Sequence, residues 1–156
     1  PGVTTAALAV ALLEADTPAF KAYAQQVVDN ARELAKALSE EGFRIVTGGT
    51  DTHLVLADAT PLGVTGKPLA RAMAQAGLVA NYNNVPFDPR PPMDPSGVRL
   101  GTAAVTSRGF AFEEIRQIAS WMGQVARNIE DEGTQQRIAG EVKALCDRFP
   151  APGLAS

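Results

Sequence analysis

From Phe20 onward, apolar residues recur at intervals of three and four: Phe20, Tyr23, Ala24, Val27, Ala31, Leu34, Ala35 and Leu38. Only a helix gathers such positions onto one face. Thr17 stands where an N-cap belongs, Pro18 occupies the first helical position, and Gly42 follows the last apolar residue. About two dozen residues at 1.5 Å each make a helix of roughly 35 Å. A one-sided helix of that length has to bury its stripe against a second layer, and the rest of the chain must supply one.

The remaining patterns predict that layer. "VTTAALAVALLEAD" has helix composition, with Thr4 or Thr5 as cap. "FRIVTGGTDTHLVLAD" reads as strand, tight turn at Gly48-Gly49, and a second strand from His53 to Ala57. "VTGKPLARAMAQAG" predicts a short helix with Thr65 as cap, Pro68 in its first turn and Gly77 just past its end. "LVAN", Leu78 to Asn81, predicts a short strand. Tyr82 to Ser96 holds five prolines, which rules out regular structure and predicts a stiff, ordered loop. A strand containing Arg99 follows, then helices over Phe112 to Asp131 and Thr134 to Phe149. The expected fold is α+β: a small, mainly antiparallel sheet with helices packed on one face. The opening "PGVTTAALAV" has neither an initiator Met nor a polar lead-in, and reads as a cut from a longer chain. Residues 1–16 are therefore expected to be a linking helix, and 17–156 a small α+β domain.

Composition narrows the function. The 156 residues are 46% hydrophobic and 20% charged, as suits one soluble domain with a real core. The net charge is −3 with no basic tract, which argues against nucleic acid and anionic membrane as partners. The longest apolar run, Ala6 to Leu13, is too short to span a bilayer. Cys146 and His53 are the only residues of their kinds, so cysteine clusters and histidine-pair metal sites are ruled out, and no metal site is expected. A reducing, cytoplasmic setting fits.

Arg99 is the first candidate site residue. It alternates with Val98 and Leu100, and Gly97 and Gly101 flank it on its own face, leaving open space beside the guanidinium. It is either a fork for a carboxylate or phosphate, or a plain charge on an edge strand. Asn81, Asn83 and Asn84 cluster where a strand enters the proline-rich loop. They suit either a heterocycle edge or local turn chemistry. "GGTDTH" and "TGK" resemble phosphate loops only superficially, since neither has the glycine spacing of a nucleotide motif. His53 reads as a hydrogen-bonded structural residue, and Cys146 as a buried small hydrophobe.

The run "GGTDTHLVLAD…TGK…NYNNVPFDPRPP…SGVRLGTAAVTSRGF" resembles the C-terminal part of serine hydroxymethyltransferase, a type I pyridoxal-phosphate enzyme family. The likeness extends from the helix "FKAYAQQVVDNARELAKAL" to the final "RFP". It implies an enzyme that uses pyridoxal phosphate to interconvert serine and glycine, with tetrahydrofolate as co-substrate, in a cytoplasmic homodimer. It implies that Arg99 binds the substrate carboxylate and that Asn83 contacts the folate ring. The family's cofactor lysine lies in a threonine-rich segment that does not occur here. The resemblance thus implies half of an active site, with no catalytic residue of its own and no activity alone, joined to a large cofactor domain. Pro1 would stand just after a glycine pair that grips the cofactor phosphate across the dimer. The chain departs from the family pattern at Thr52, Tyr82 and Ala103, and its first helix matches least well. A relative acting on α-methylserine, a threonine-type transaldolase, or a non-catalytic assembly module that retains the fold are the alternatives.

Overall fold

The computed structural model describes residues 2–153, so the place implied for Pro1 lies outside the described residues. Helices α1 (Gly2–Ala15) and α2 (Pro18–Glu40) lead. Thr17 caps α2, its hydroxyl accepting from the Phe20 N–H at 3.2 Å, and Gly42 leaves it at φ +97°. The expected stripe is buried from Val27 through Ala31, Leu34 and Ala35 to Leu38, while Phe20 stays 40% exposed. Thr4 and Thr5 fall inside α1 rather than capping it, because the helix already starts at Gly2.

Four strands form one antiparallel sheet in the order β1-β2-β4-β3: β1 (Arg44–Ile45), β2 (Leu54–Asp58), β3 (Asn81–Asn83) and β4 (Gly97–Gly101). Helix α3 (Gly66–Gln75) precedes β3, and α4 (Ala103–Ser107), α5 (Phe112–Arg127) and α6 (Glu132–Arg148) follow β4. Val55, Ala57, Val98 and Leu100 point from the sheet into a core shared with Leu34, Leu38, Leu69, Met73, Ile115 and Met122. Fully burying a side chain of this size contributes roughly 1.5–3 kcal/mol. The layered α+β expectation therefore holds.

Several boundaries move, each for a local reason. The hairpin pairs Arg44 with Asp58 and Ile45 with Ala57, but its connection is wide rather than tight. A 3-10 turn over Val46–Gly48 holds Thr47 at φ 63°, and the second strand starts at Leu54. The strand expected at Leu78 begins at Asn81 instead. Gly77, at φ +77°, lets the Leu78 N–H close α3 by donating to the Met73 carbonyl at 2.8 Å, so Leu78 belongs to the helix end. Helix α5 stops at Arg127 rather than Asp131. Asp131 instead caps α6, accepting from the Gly133 N–H and the Thr134 hydroxyl, and that helix starts at Glu132. The short helix α4 was not expected at all. Buried Asn30 holds it, donating to the Thr106 hydroxyl (2.8 Å) and the Phe110 carbonyl (2.9 Å). The Thr102 hydroxyl meanwhile donates to the Val27 carbonyl. An asparagine within the apolar stripe, between Val27 and Leu34, was the signal for this polar knot.

Helix α1 has no buried residue. Val3, Leu8, Val10, Leu12 and Leu13 are 59–86% exposed. A helix that is apolar all round is normally covered all round. No single described helix is long and apolar enough to cross a membrane; α1 and α2 together pass only across a 77° bend. Exposed apolar surface of this kind drives association. The 156-residue chain alone is expected to form dimers or larger species in sedimentation velocity, and Leu8→Glu with Leu12→Glu should shift it to monomer. A strict monomer over a wide concentration range would count against this.

Candidate functional site

Strand β4 carries Arg99 on the sheet face opposite Val98 and Leu100. It is an interior strand, since β2 pairs with it on one side and β3 on the other. The edge-strand alternative for Arg99 is thus corrected, and its cross-strand neighbours are Leu56 and Asn81. A charge in the middle of a sheet is exposed only because the helices cover the other face.

The open space expected beside Arg99 exists on one side. Gly97 is buried, and a Cβ there would stand 2.9 Å from both Val85 Cγ1 and the Asn83 carbonyl oxygen, so that side is filled. At Gly101 the nearest atom to such a Cβ is Leu54 Cδ2 at 3.5 Å. Here a hollow of about 210 Å³ opens, lined by Leu54, Val79, Ala80, Asn81, Arg99 and Gly101. No acidic group lines it. Most other arginines are engaged: Arg44 with Asp58, Arg90 with Asp94, Arg116 with Glu33, Arg127 with Glu41 and Arg137 with Glu141. Arg99 has no hydrogen-bond or ion-pair partner among the described residues. The arrangement offers an unneutralised planar fork, which suits an anion with two oxygens.

The asparagines separate into different roles. Asn81 is exposed beside Arg99, and Asn83 lies opposite Gly97 on the same strand pair. Asn83 is half-buried, and its Nδ2 donates to the Asn84 carbonyl at 3.0 Å. Asn84 turns into the loop, donating to Asp88 Oδ2 at 3.2 Å. The proline-rich loop is ordered, as expected, but two carboxylates hold it as well as its prolines. Asp88 accepts from the Val85 N–H, the Arg90 N–H and both the N–H and hydroxyl of Ser96. Burial pushes the Asp88 carboxyl up, but these hydrogen bonds outweigh it and hold it well below the ordinary carboxylate range. Asp94 accepts from the Thr65 hydroxyl at 2.7 Å and pairs with Arg90, and both interactions lower its pKa. Neither carboxylate stood out in the sequence, because an Asp between prolines reads as turn chemistry.

"TGK" is more than a superficial phosphate loop, but its role is structural. The Thr65 side chain reaches Asp94 rather than capping α3, and Gly66 is packed against the backbone of Pro95 and Gly97. "GGTDTH" borders a hollow of about 650 Å³ lined by Arg32, Lys36, Glu40 and Asp51, so its side-chain charges balance, and Arg32 pairs with Asp51 at 3.4 Å. His53 is exposed. Its carbonyl accepts from the Thr102 N–H at 3.1 Å, so the structural role falls to its backbone and not to the imidazole. Cys146 is half-buried on α6 beside an apolar cavity.

Comparison with known proteins places the chain in a family. The model of the family described as serine hydroxymethyltransferase matches residues 2–122. The chain is 58% identical over 151 residues to the serine hydroxymethyltransferase of Sorangium cellulosum, covering 97% of this chain and 36% of that protein. It is 56% identical to that of Desulfotalea psychrophila over 151 residues, again covering 97% and 36%. It is likewise 56% identical to that of Acidothermus cellulolyticus over 157 residues, covering 97% and 37%. The chain thus spans little more than a third of the length of the curated relatives it matches. With the family model covering well over half of its residues, the chain belongs to the serine hydroxymethyltransferase family.

Proposed function

We propose that this chain acts as the substrate-carboxylate half of a hydroxymethyltransferase that interconverts serine and glycine with tetrahydrofolate. The observation that carries the reading is Arg99, an unpaired guanidinium over a neutral hollow in a family whose relatives act as serine hydroxymethyltransferases. Its role is to fix the amino-acid carboxylate. A bidentate pair sets the position and rotation of the substrate, so that the bond to be broken keeps one orientation. Asn83 offers hydrogen-bonding groups to the folate heterocycle at the neighbouring pair of the same two strands.

The described residues do not themselves fit pyridoxal phosphate. No amine or carboxylate lines the Arg99 hollow. Lys21 donates to Asp16 and Lys143 to Asp147, Lys36 borders the hollow by Gly48-Gly49, and Lys67 stands at the start of α3 near Asp94. We propose that a large domain supplies the lysine and the phosphate grip, and that the working enzyme is a homo-oligomer containing it, in the cytoplasm.

Two measurements test this together. Titrated with pyridoxal phosphate, the 156-residue chain is expected to show no saturable, stoichiometric visible band. Joined to the part of the Sorangium cellulosum relative that it does not match, it should restore both the band and serine cleavage. A specific band abolished by mutating one lysine of this chain would overturn the half-site reading. A soluble, cofactor-loaded fusion without activity would favour a non-catalytic module.

A further inference from the structure

Asp88 makes more hydrogen bonds than any role as a turn former requires. Its Oδ2 accepts from Asn84 Nδ2 (3.2 Å), the Val85 N–H (3.2 Å) and the Ser96 N–H (2.9 Å). Its Oδ1 accepts from the Arg90 N–H (3.0 Å) and the Ser96 hydroxyl (2.7 Å). The donors come from both ends of the loop. Asn84 and Val85 directly follow Asn83, and Ser96 directly precedes Gly97, the first residue of the Arg99 strand. One carboxylate therefore ties the exit of β3 to the entry of β4. The neighbouring Phe87 is held at φ 57° with its ring fully exposed, a strained conformation that persists only when its surroundings fix it.

The consequence reaches Asn83. Asn84 is anchored to Asp88, and the carbonyl of Asn84 receives the Asn83 Nδ2 at 3.0 Å. The reverse orientation of the Asn83 amide would set two carbonyl oxygens against each other. The amide thus keeps one orientation, with Oδ1 and one N–H left for a ligand. We propose that Asp88 is a positioning residue: through Asn84 it presents the Asn83 amide, in a single orientation, to a planar heterocycle with an N–H donor at its edge. This deepens the reading of Asn83 as a folate contact and rests on it.

The test is nuclear magnetic resonance on the full 156-residue chain, uniformly 15N-labelled, with Asp88→Asn and Asn84→Ala. Asp88→Asn keeps the size but sets an amide NH2 among converging N–H donors. The Asn83 side-chain N–H that donates to the Asn84 carbonyl is expected to lose protection from exchange at least tenfold. The Val98 and Leu100 amides should keep theirs. Unchanged Asn83 signals in Asp88→Asn overturn the positioning role. If Asp88→Asn unfolds the chain, Asn84→Ala decides, since it deletes the Asn84 amide's link to Asp88 together with its longer contact to the Arg90 carbonyl (3.4 Å) and leaves the other Asp88 bonds in place: freed Asn83 signals over an intact core support the role, and unchanged ones overturn it. In the assembled enzyme, Asp88→Asn should raise the KM for tetrahydrofolate about tenfold, the effect of losing one neutral hydrogen bond, and leave the KM for serine unchanged. Equal rises in both KM values would make Asp88 merely structural and overturn the role. An unchanged tetrahydrofolate KM in Asn83→Ala overturns the folate reading, and with it the ligand named here, independently of the resonance result.

Discussion

Replacing Arg99 by Ala in the assembled enzyme is expected to lower kcat/KM for serine at least a hundredfold. On the proposed reading, the substitution removes a charge-assisted pair with the substrate carboxylate. Hydrogen bonds to charged groups contribute roughly 1.5–3 kcal/mol each, and a carboxylate left desolvated without a partner loses more. The expected total, on the order of 3 kcal/mol, corresponds to that loss of substrate capture. Lys should rescue poorly, because a point charge does not reproduce the planar fork. Folding should be unaffected, since Arg99 is exposed, anchors no core residue and has no partner among the described residues. The cofactor band should survive as well, since the Arg99 hollow holds no amine to condense with the cofactor's aldehyde. Steady-state kinetics, the absorption spectrum and a thermal melt together decide it. Near-normal kcat/KM, or loss only through unfolding, would reduce Arg99 to an exposed charge on an open sheet face.

The sequence exposed those parts of the site that follow from periodicity, and hid those that follow from topology. Alternation alone placed Arg99 opposite Val98 and Leu100. It could not show that β4 lies between β2 and β3, because strand order is a long-range property that period-two patterning does not record. The stripe on α2 was visible for the same reason, whereas Asn30 was lost within it. Local signals also misled at element ends. Leu78 is apolar and followed by the β-branched Val79, but it completes the end of α3 instead of opening a strand. Asp88 and Asp94 illustrate the other limit. Their partners, Ser96 and Thr65, lie 8 and 29 residues away, and nothing in composition connects them.

Gly66→Ala should be strongly destabilising, although the residue has no ligand role and gains only a methyl group. A Cβ at position 66 would lie 2.1 Å from the Gly97 carbonyl oxygen, 2.9 Å from its carbonyl carbon and 3.0 Å from the Pro95 carbonyl oxygen. All three are backbone atoms, so no side chain can swing away. The Gly66 N–H also donates to the Pro95 carbonyl at 2.7 Å, which fixes how closely α3 approaches β4. Relief requires moving either the start of α3, with Leu69 and Met73 in the core behind it, or the start of β4, two residues before Arg99. Overpacking a core costs typically 1–3 kcal/mol and occasionally more, and a clash with rigid backbone belongs at the upper end, about 3 kcal/mol. For a chain of this size that is a fall in melting temperature of roughly 6–12 °C. Helix propensity alone argues for the opposite sign, since Ala is favoured over Gly in a helix by about 1 kcal/mol. Gly140→Ala is the matching control: that glycine is exposed within α6, and a Cβ there would meet nothing within 4 Å. It should raise the melting temperature while Gly66→Ala lowers it. If the two substitutions shift the melt in the same direction, the close approach of α3 to the Arg99 strand is not what Gly66 is there to allow.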